Sequence, residues 1–242
     1  MSTPIEAIVF DFWQTLGTLP RGSGAKLLAD LFHLPIETVE RARNSVEQMY
    51  GHDFECGHLN GPHWLIKVAE QTGQELSYEE SERLFETLRG RWIVELQVYP
   101  GVDELLRKLH ADGWKLGLCS NASDLSLAPM KSTDFFELFD AIVLSCLAKV
   151  AKPDIEIFRV ALRMMGGVNP EQVIYVGDGG SAELQIAKSL DMPTVLVLNH
   201  PDGHTARCPN DRAPVEAAAD FVIKKTADLP KILAKFKETQ PV

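Results

Sequence analysis

The amino-acid sequence predicts a doubly wound parallel α/β sheet with a helical domain inserted after its first strand. Three observations predict it. Short runs rich in Val, Ile and Leu, without polar alternation, recur through the chain, as strands buried on both faces require. From about residue 98 onward these runs alternate with helical stripes, the rhythm of an α/β fold. Residues 17–97 break that rhythm and hold no strong strand.

In chain order the strand runs are 7–10, 116–119, 141–144, 173–176 and 194–198, with a weaker one at 221–223. Between them Val102, Leu105, Leu106 and Leu109 recur at helical spacing, and Ile155, Phe158, Leu162 and Met165 share a second stripe. Inside the insertion, 25–51 and 77–96 read as helices. The second opens on Ser77, with Glu79 and Glu80 in its first turn, a favourable helix start. The chain returns to the sheet near Tyr99-Pro100-Gly101, and a last surface helix is expected after Thr226. The expected division is 1–16 with 98–242 as the core, and 17–97 as the insertion.

Composition excludes several classes. The 242 residues are 45% hydrophobic and 24% charged, a globular balance that disfavours extended disorder. No run approaches the roughly 18 apolar residues of a membrane span. The amino terminus lacks the basic segment and apolar run of a secretory signal. Thirty-four acids against 24 Lys plus Arg leave a net charge of −10, which argues against duplex nucleic acid or anionic lipid as partner. Cys56, Cys119, Cys146 and Cys208 form no CxxC pair, so reduced thiols are expected. A soluble cytoplasmic protein, monomer or homodimer, is the expectation.

Ligands of an open parallel sheet bind beyond the carboxyl ends of its strands. After the first run stands Asp11, within Phe10-Asp11-Phe12-Trp13-Gln14-Thr15-Leu16. Ser120-Asn121 follows the second, and Ser145 the third, with Lys152-Pro153-Asp154 opening the next helix. The fourth runs into Gly177-Asp178-Gly179-Gly180-Ser181-Ala182-Glu183. Singly, each has a plain structural reading: caps, a solvated lysine, a tight glycine turn. As an ordered set they bring carboxylate, hydroxyl, ammonium and carboxylate to one sheet edge.

That set resembles the haloacid dehalogenase-like (HAD) hydrolase superfamily, over nearly the whole chain. Asp11 and Thr15 match its nucleophile motif, Asp-x-x-x-Thr. Ser120 with Asn121, Lys152 within Lys-Pro-Asp, and Asp178 with Glu183 match its later motifs. Tyr99-Pro100-Gly101-Val102 and Ala219-Asp220 are similar to it too. The resemblance implies a Rossmann-like HAD core carrying a cap of the C1 type. It also implies Mg²⁺ held by Asp11, the Trp13 backbone carbonyl, Asp178, and Glu183 through water. Asp11 would be the nucleophile, with Ser120 and Lys152 as its catalytic partners. Thr15, Ser120, Asn121 and Lys152 would form the substrate-binding set, Thr15 chiefly by ordering the loop. The chemistry is coherent, since a carboxylate approaches phosphate only where cations neutralise its charge.

One departure matters. In the family's phosphatases the residue two after the nucleophile is a second Asp, acting as general acid and base, and here it is Trp13. Indole cannot shuttle a proton at neutral pH. The family's haloacid dehalogenases also lack that Asp and work without metal, but they lose the acidic pair that Asp178 and Glu183 retain. The expected activity is a Mg²⁺-dependent phosphatase of a small phosphorylated metabolite. It would work through an aspartyl-phosphate, with weak general acid–base help. The alternatives are a 2-haloacid dehalogenase-type hydrolase and a catalytically weak phosphate-binding protein. A receiver-type signalling domain is far shorter and has no such insertion. No GxGxxG follows the first run, against dinucleotide binding.

Within the insertion, His52, Cys56, His58 and His63 cluster at a spacing that fits no common zinc motif. Gly51, Gly57, Gly61 and Pro62 predict a loop there, closing over the core and tuning specificity. Trp64 and Trp92 read as cap core. Residues 200–214 read as a long loop whose Arg207 and Arg212 offer either a contact to an anionic substrate or, the plainer reading, a solvated charge. Should acid–base help exist, an acid or histidine delivered by the cap, His52 or Glu55, is the expected source.

Overall fold

Strand β1 (Ala7–Phe10) sends alternate side chains to opposite sides of the sheet. Ile8 and Phe10 enter one core and Ala7 and Val9 the other, so no position on the strand is left for a polar residue. The computed structural model describes residues 4–20, 22–199 and 213–238. After β1 come β2 (Gly17–Thr18), the helices α1 (Ser23–Phe32), α2 (Ile36–Glu55), α3 (Gly61–Gln71) and α4 (Tyr78–Glu95), and β3 (Gln97–Val98). The chain then runs through α5 (Val102–Ala111), β4 (Lys115–Ser120), α6 (Asp124–Lys131), β5 (Ala141–Leu144), α7 (Ser145–Ala148) and α8 (Ile155–Met164). It closes with β6 (Val173–Gly177), α9 (Glu183–Ser189), β7 (Thr194–Val197), α10 (Ala213–Ala218), β8 (Phe221–Ile223) and α11 (Leu229–Glu238).

Six strands form one parallel sheet in the order β5-β4-β1-β6-β7-β8. The chain builds outward from β1 through β4 and β5, then returns to build β6, β7 and β8 on the other side. Order reverses at β1, and the crevice beyond its carboxyl end is where such a sheet binds ligands. One face packs on Val102, Leu106 and Leu109 of α5 and Leu229 and Leu233 of α11. The opposite face packs on Phe158 and Leu162 of α8 and Leu184 and Ala187 of α9. This is a Rossmann-like α/β core, as the sequence predicts.

The inserted helices bury a third apolar cluster, built on Leu28, Val39, Val46, Phe54, Trp64, Leu65, Val68, Phe85 and Leu88. Leu125 of α6 joins it, so this cluster rests on the sheet core through that helix. Details of the insertion differ from the sequence reading. The 25–51 helix is two, broken at His33-Leu34-Pro35, because His33 takes a left-handed conformation (φ 54°) and Pro35 caps α2. Gly51 sits inside α2 rather than in a loop, and Gly61 and Pro62 open α3, where proline's missing N–H costs nothing. A two-stranded antiparallel ribbon of β2 and β3, which the sequence reading lacks, joins the two chain crossings of the insertion. Helix α4 has the expected start: Ser77 and Glu80 form a reciprocal capping box. Arg207, Arg212 and Cys208 lie outside the described residues.

Candidate active site

The site is assembled where four strands end. Asp11 continues the β1 ladder, its N–H donating to Val176 O at 2.9 Å, so its carboxylate is fixed at the strand's end. Ser120 closes β4, Asn121 follows it, Lys152 precedes α8, and Asp178 and Glu183 follow β6. Asp11, Ser120, Asn121, Lys152, Asp178 and Glu183 are all buried. Together with Trp13 they border one small cavity of about 20 Å³.

Charge organises this cavity. Lys152 Nζ donates to Asp11 Oδ1 at 2.7 Å and to Glu183 Oε2 at 2.5 Å, with the Tyr175 hydroxyl 3.2 Å away. Tyr175 donates in turn to Glu183 Oε2 at 2.8 Å, and Gly179 N–H donates to Glu183 Oε1 at 3.0 Å. Glu183 reaches this position because residue 177 is glycine. A Cβ there would lie 2.0 Å from Glu183 Oε1. Gly180 N–H donates to Asp178 Oδ1 at 3.0 Å, orienting the second carboxylate.

Burial lowers the Lys152 pKa, but the nearby Asp11 and Glu183 raise it further, so the ammonium stays charged. Burial raises the Glu183 pKa, and the adjacent Lys152 ammonium opposes that by favouring the carboxylate. Burial also raises Tyr175 well above its ordinary range and Cys119 to about 12. Both remain protonated at neutral pH.

Asp11, Asp178 and Glu183 offer oxygens within 4.8 Å of one another. Three buried carboxylates beside one ammonium are an electrostatic debt that a divalent cation settles, and hard oxygen donors suit Mg²⁺. The donor set therefore fits that ion. Glu183 fits least as a direct ligand, because both its oxygens already accept hydrogen bonds.

Asn121 carries more structure than a partner of Ser120 would. Its Oδ1 accepts from Lys152 N–H at 2.7 Å and its Nδ2 donates to Lys152 O at 3.0 Å, a reciprocal clamp on the lysine backbone. Thr15 lies off the cavity wall and is fully buried. Its carbonyl accepts from Asn199 Nδ2 at 2.8 Å and Thr226 Oγ1 at 2.5 Å, so it anchors the loop after Asp11. Trp13 packs edge-on against Phe12 at 5.0 Å and against Trp92 of α4 at 6.2 Å, linking the Asp11 loop to the insertion.

A second cavity, of about 590 Å³, lies between the inserted helices and the core. It shares Trp13, Gln14 and Asn121 with the first and continues past Phe54, Glu55, Trp64 and Trp92. His52, Cys56 and His63 do not converge on either cavity. The His52 ring lies 3.8 Å from Cys56 Sγ, and the His63 ring pairs with Asn60.

Residues 5–191 match the model of the haloacid dehalogenase-like hydrolase family. The chain belongs to that family. It is 32% identical over 152 residues to a phosphoglycolate phosphatase of Caulobacter vibrioides, covering 62% of this chain and 60% of that one. A phosphoglycolate phosphatase of Salmonella paratyphi A is 31% identical over 129 residues, half of each chain. The chain thus matches less than two thirds of the length of these relatives. Among solved structures, a 2-haloacid dehalogenase from Pseudomonas syringae pv. Tomato superposes with a TM-score of 0.70 at 21% identity, over 96% of this chain and 99% of that one. A HAD phosphatase from Thermococcus onnurineus gives 0.59 at 23%, over 95% and 98%. At such identities these two establish the HAD fold alone. Among the described residues, no helix of this HAD hydrolase is long and apolar enough to cross a membrane.

Tyr175, Asn199 and Thr226 were not singled out from sequence as site residues. Asn199 directly follows the fifth apolar run, the same strand-end signal that marks Asp11. Tyr175 carries the one hydroxyl in the 173–176 run, a signal equally present.

Proposed function

We propose that this HAD hydrolase is a Mg²⁺-dependent phosphatase acting on a small phosphorylated metabolite, with residues 17–97 as its C1-type cap. The buried cluster of Asp11, Asp178 and Glu183 beside Lys152 carries the proposal. Two further buried carboxylates beside Asp11 suit a bound divalent cation better than a metal-free displacement. The matched phosphatase relatives point the same way, and phosphoglycolate is the first ester to test.

In this reading Asp11 Oδ attacks phosphorus as the ester oxygen departs, forming an aspartyl-phosphate that water then cleaves. Lys152 holds Asp11 in place and offers its charge to the phosphoryl oxygens. Ser120 donates a hydrogen bond to one of those oxygens, and Asn121 fixes the Lys152 backbone. Mg²⁺, held by Asp11, Asp178 and the Trp13 carbonyl, with Glu183 acting through water, would lower the negative charge that repels Asp11. The substrate's remaining part would occupy the 590 Å³ cavity against Trp13, Trp64 and Trp92.

Trp13 favours a second reading. With no proton donor at position 13, a 2-haloacid dehalogenase-type displacement or a weakly catalytic phosphate-binding role becomes the alternative. A screen of phosphate esters with and without Mg²⁺, run beside chloride release from 2-haloacids, separates them. Mg²⁺-dependent phosphate release supports the phosphatase, and chloride release in chelator overturns it.

A further inference from the structure

Position 13 is indole, so any acid–base group of the reaction comes from elsewhere. Three acids line the 590 Å³ cavity: Glu40, Glu47 and Glu55. Glu40 and Glu47 are exposed on α2, with no hydrogen bond to the strand-end residues among the described contacts. Glu55 differs. Its Oε2 accepts from Asn121 Nδ2 at 3.2 Å, and Asn121 borders both cavities. That same Asn121 clamps the backbone of Lys152, whose ammonium touches Asp11.

The backbone at Glu55 is pinned as well. It is the last residue of α2, and its carbonyl accepts from Ser145 Oγ at 2.7 Å. Ser145 Oγ in turn accepts from Ala122 N–H at 2.9 Å. Two residues on, Gly57 has φ 64° and approaches so closely that a Cβ would lie 2.5 Å from Cys146 O. The end of α2 is thus locked onto the ends of β4 and β5, beside Asn121, which borders both cavities. His52, the other residue the sequence suggested, lies outside the lining and faces Cys56.

We propose that Glu55, delivered from the insertion, is the general acid and base of the reaction in place of the missing carboxyl at position 13. This rests on the phosphatase reading. In the first half-reaction the Asp11–phosphorus bond forms while the phosphorus–ester oxygen bond breaks, and the departing oxygen takes the proton of Glu55. In the second, the Glu55 carboxylate takes a proton from water as that water's oxygen attacks phosphorus. Asp11 is released as carboxylate, inorganic phosphate leaves, and Glu55 is again protonated.

The test is a comparison of alkyl and aryl phosphates, with kcat/KM measured for the natural protein and for Glu55→Gln under saturating Mg²⁺. Gln keeps an acceptor for Asn121 but carries no transferable proton. Alkyl phosphate turnover should fall by about 10²–10⁴-fold, while an aryl phosphate, whose oxygen leaves unaided, changes only a few-fold. Trp13→Asp in the Glu55→Gln background should restore part of the alkyl activity. Equal loss on both esters would mean that Glu55 merely positions Asn121, and no loss would remove it from the chemistry; either overturns the proposal. The natural protein supplies an independent reading that needs no variant. Across a series of esters its kcat/KM should depend only shallowly on leaving-group pKa, and a steep dependence overturns the role of Glu55. Absence of phosphate release from every ester, with or without Mg²⁺, would overturn the phosphatase reading itself.

Discussion

Lys152 Nζ sits between two carboxylates, 2.7 Å from Asp11 Oδ1 and 2.5 Å from Glu183 Oε2, and all three side chains are nearly inaccessible to water. A buried ion pair stabilises little on balance, but breaking one leaves an uncompensated charge. Lys152→Met should therefore cost about 3–5 kcal/mol, because Asp11 and Glu183 lose their shared cation. Millimolar Mg²⁺ should recover part of that loss by binding only the folded state. Thermal unfolding with and without Mg²⁺ reads both effects. An unchanged midpoint would show that the triad is not electrostatically coupled.

Asp178 should matter more to the metal than Glu183 does. Glu183 already accepts from Lys152, Tyr175 and Gly179 N–H. Titration calorimetry with Mg²⁺ should show a larger loss of affinity for Asp178→Ala than for Glu183→Ala. The reverse order would make Glu183 the direct ligand.

Gly177→Ala tests the packing that seats Glu183. The added methyl would collide with Glu183 Oε1, 2.0 Å away. Overpacking of this kind costs about 1–3 kcal/mol. The carboxylate should also be driven off Lys152, so activity should fall together with the denaturation midpoint. A neutral substitution would contradict the close approach.

Asp220 sets an acid-side dependence far from the site. Burial raises its pKa, but hydrogen bonds from Lys188 and from Thr194 outweigh that and lower it overall. A depressed folded value contributes stability above the unfolded aspartate pKa of about 3.9 and loses it as pH falls through the folded value. Asp220→Asn should flatten that part of the stability-against-pH curve below about pH 4 while leaving its neutral region the same shape. A parallel shift at all pH values would deny the linkage.

The core was legible because a strand buried on both faces must be continuously apolar, and because the residues after such runs face the ligand crevice. Asp11, Ser120, Lys152 and Asp178 were found that way. The insertion was less legible. Gly61-Pro62 looks like a loop, yet it opens α3, and Gly51 lies within α2, where tertiary packing of Val46 and Phe54 outweighs glycine's poor helix propensity. The Asn121–Glu55 contact joins residues far apart in sequence and leaves no local pattern. Sequence alone could only make Glu55 one of two cap candidates. The loop function assigned to Thr15 has the same character, since its anchors Asn199 and Thr226 come from the other end of the chain.

Trapping the covalent intermediate tests the central claim most directly. Rapid acid quench during turnover of an aryl phosphate with Mg²⁺, followed by peptide mass spectrometry, should find a phosphoryl adduct on Asp11. That adduct should vanish in Asp11→Asn, whose thermal unfolding should still show a folded protein. A phosphoryl group on another residue, or full turnover by Asp11→Asn, would contradict the account.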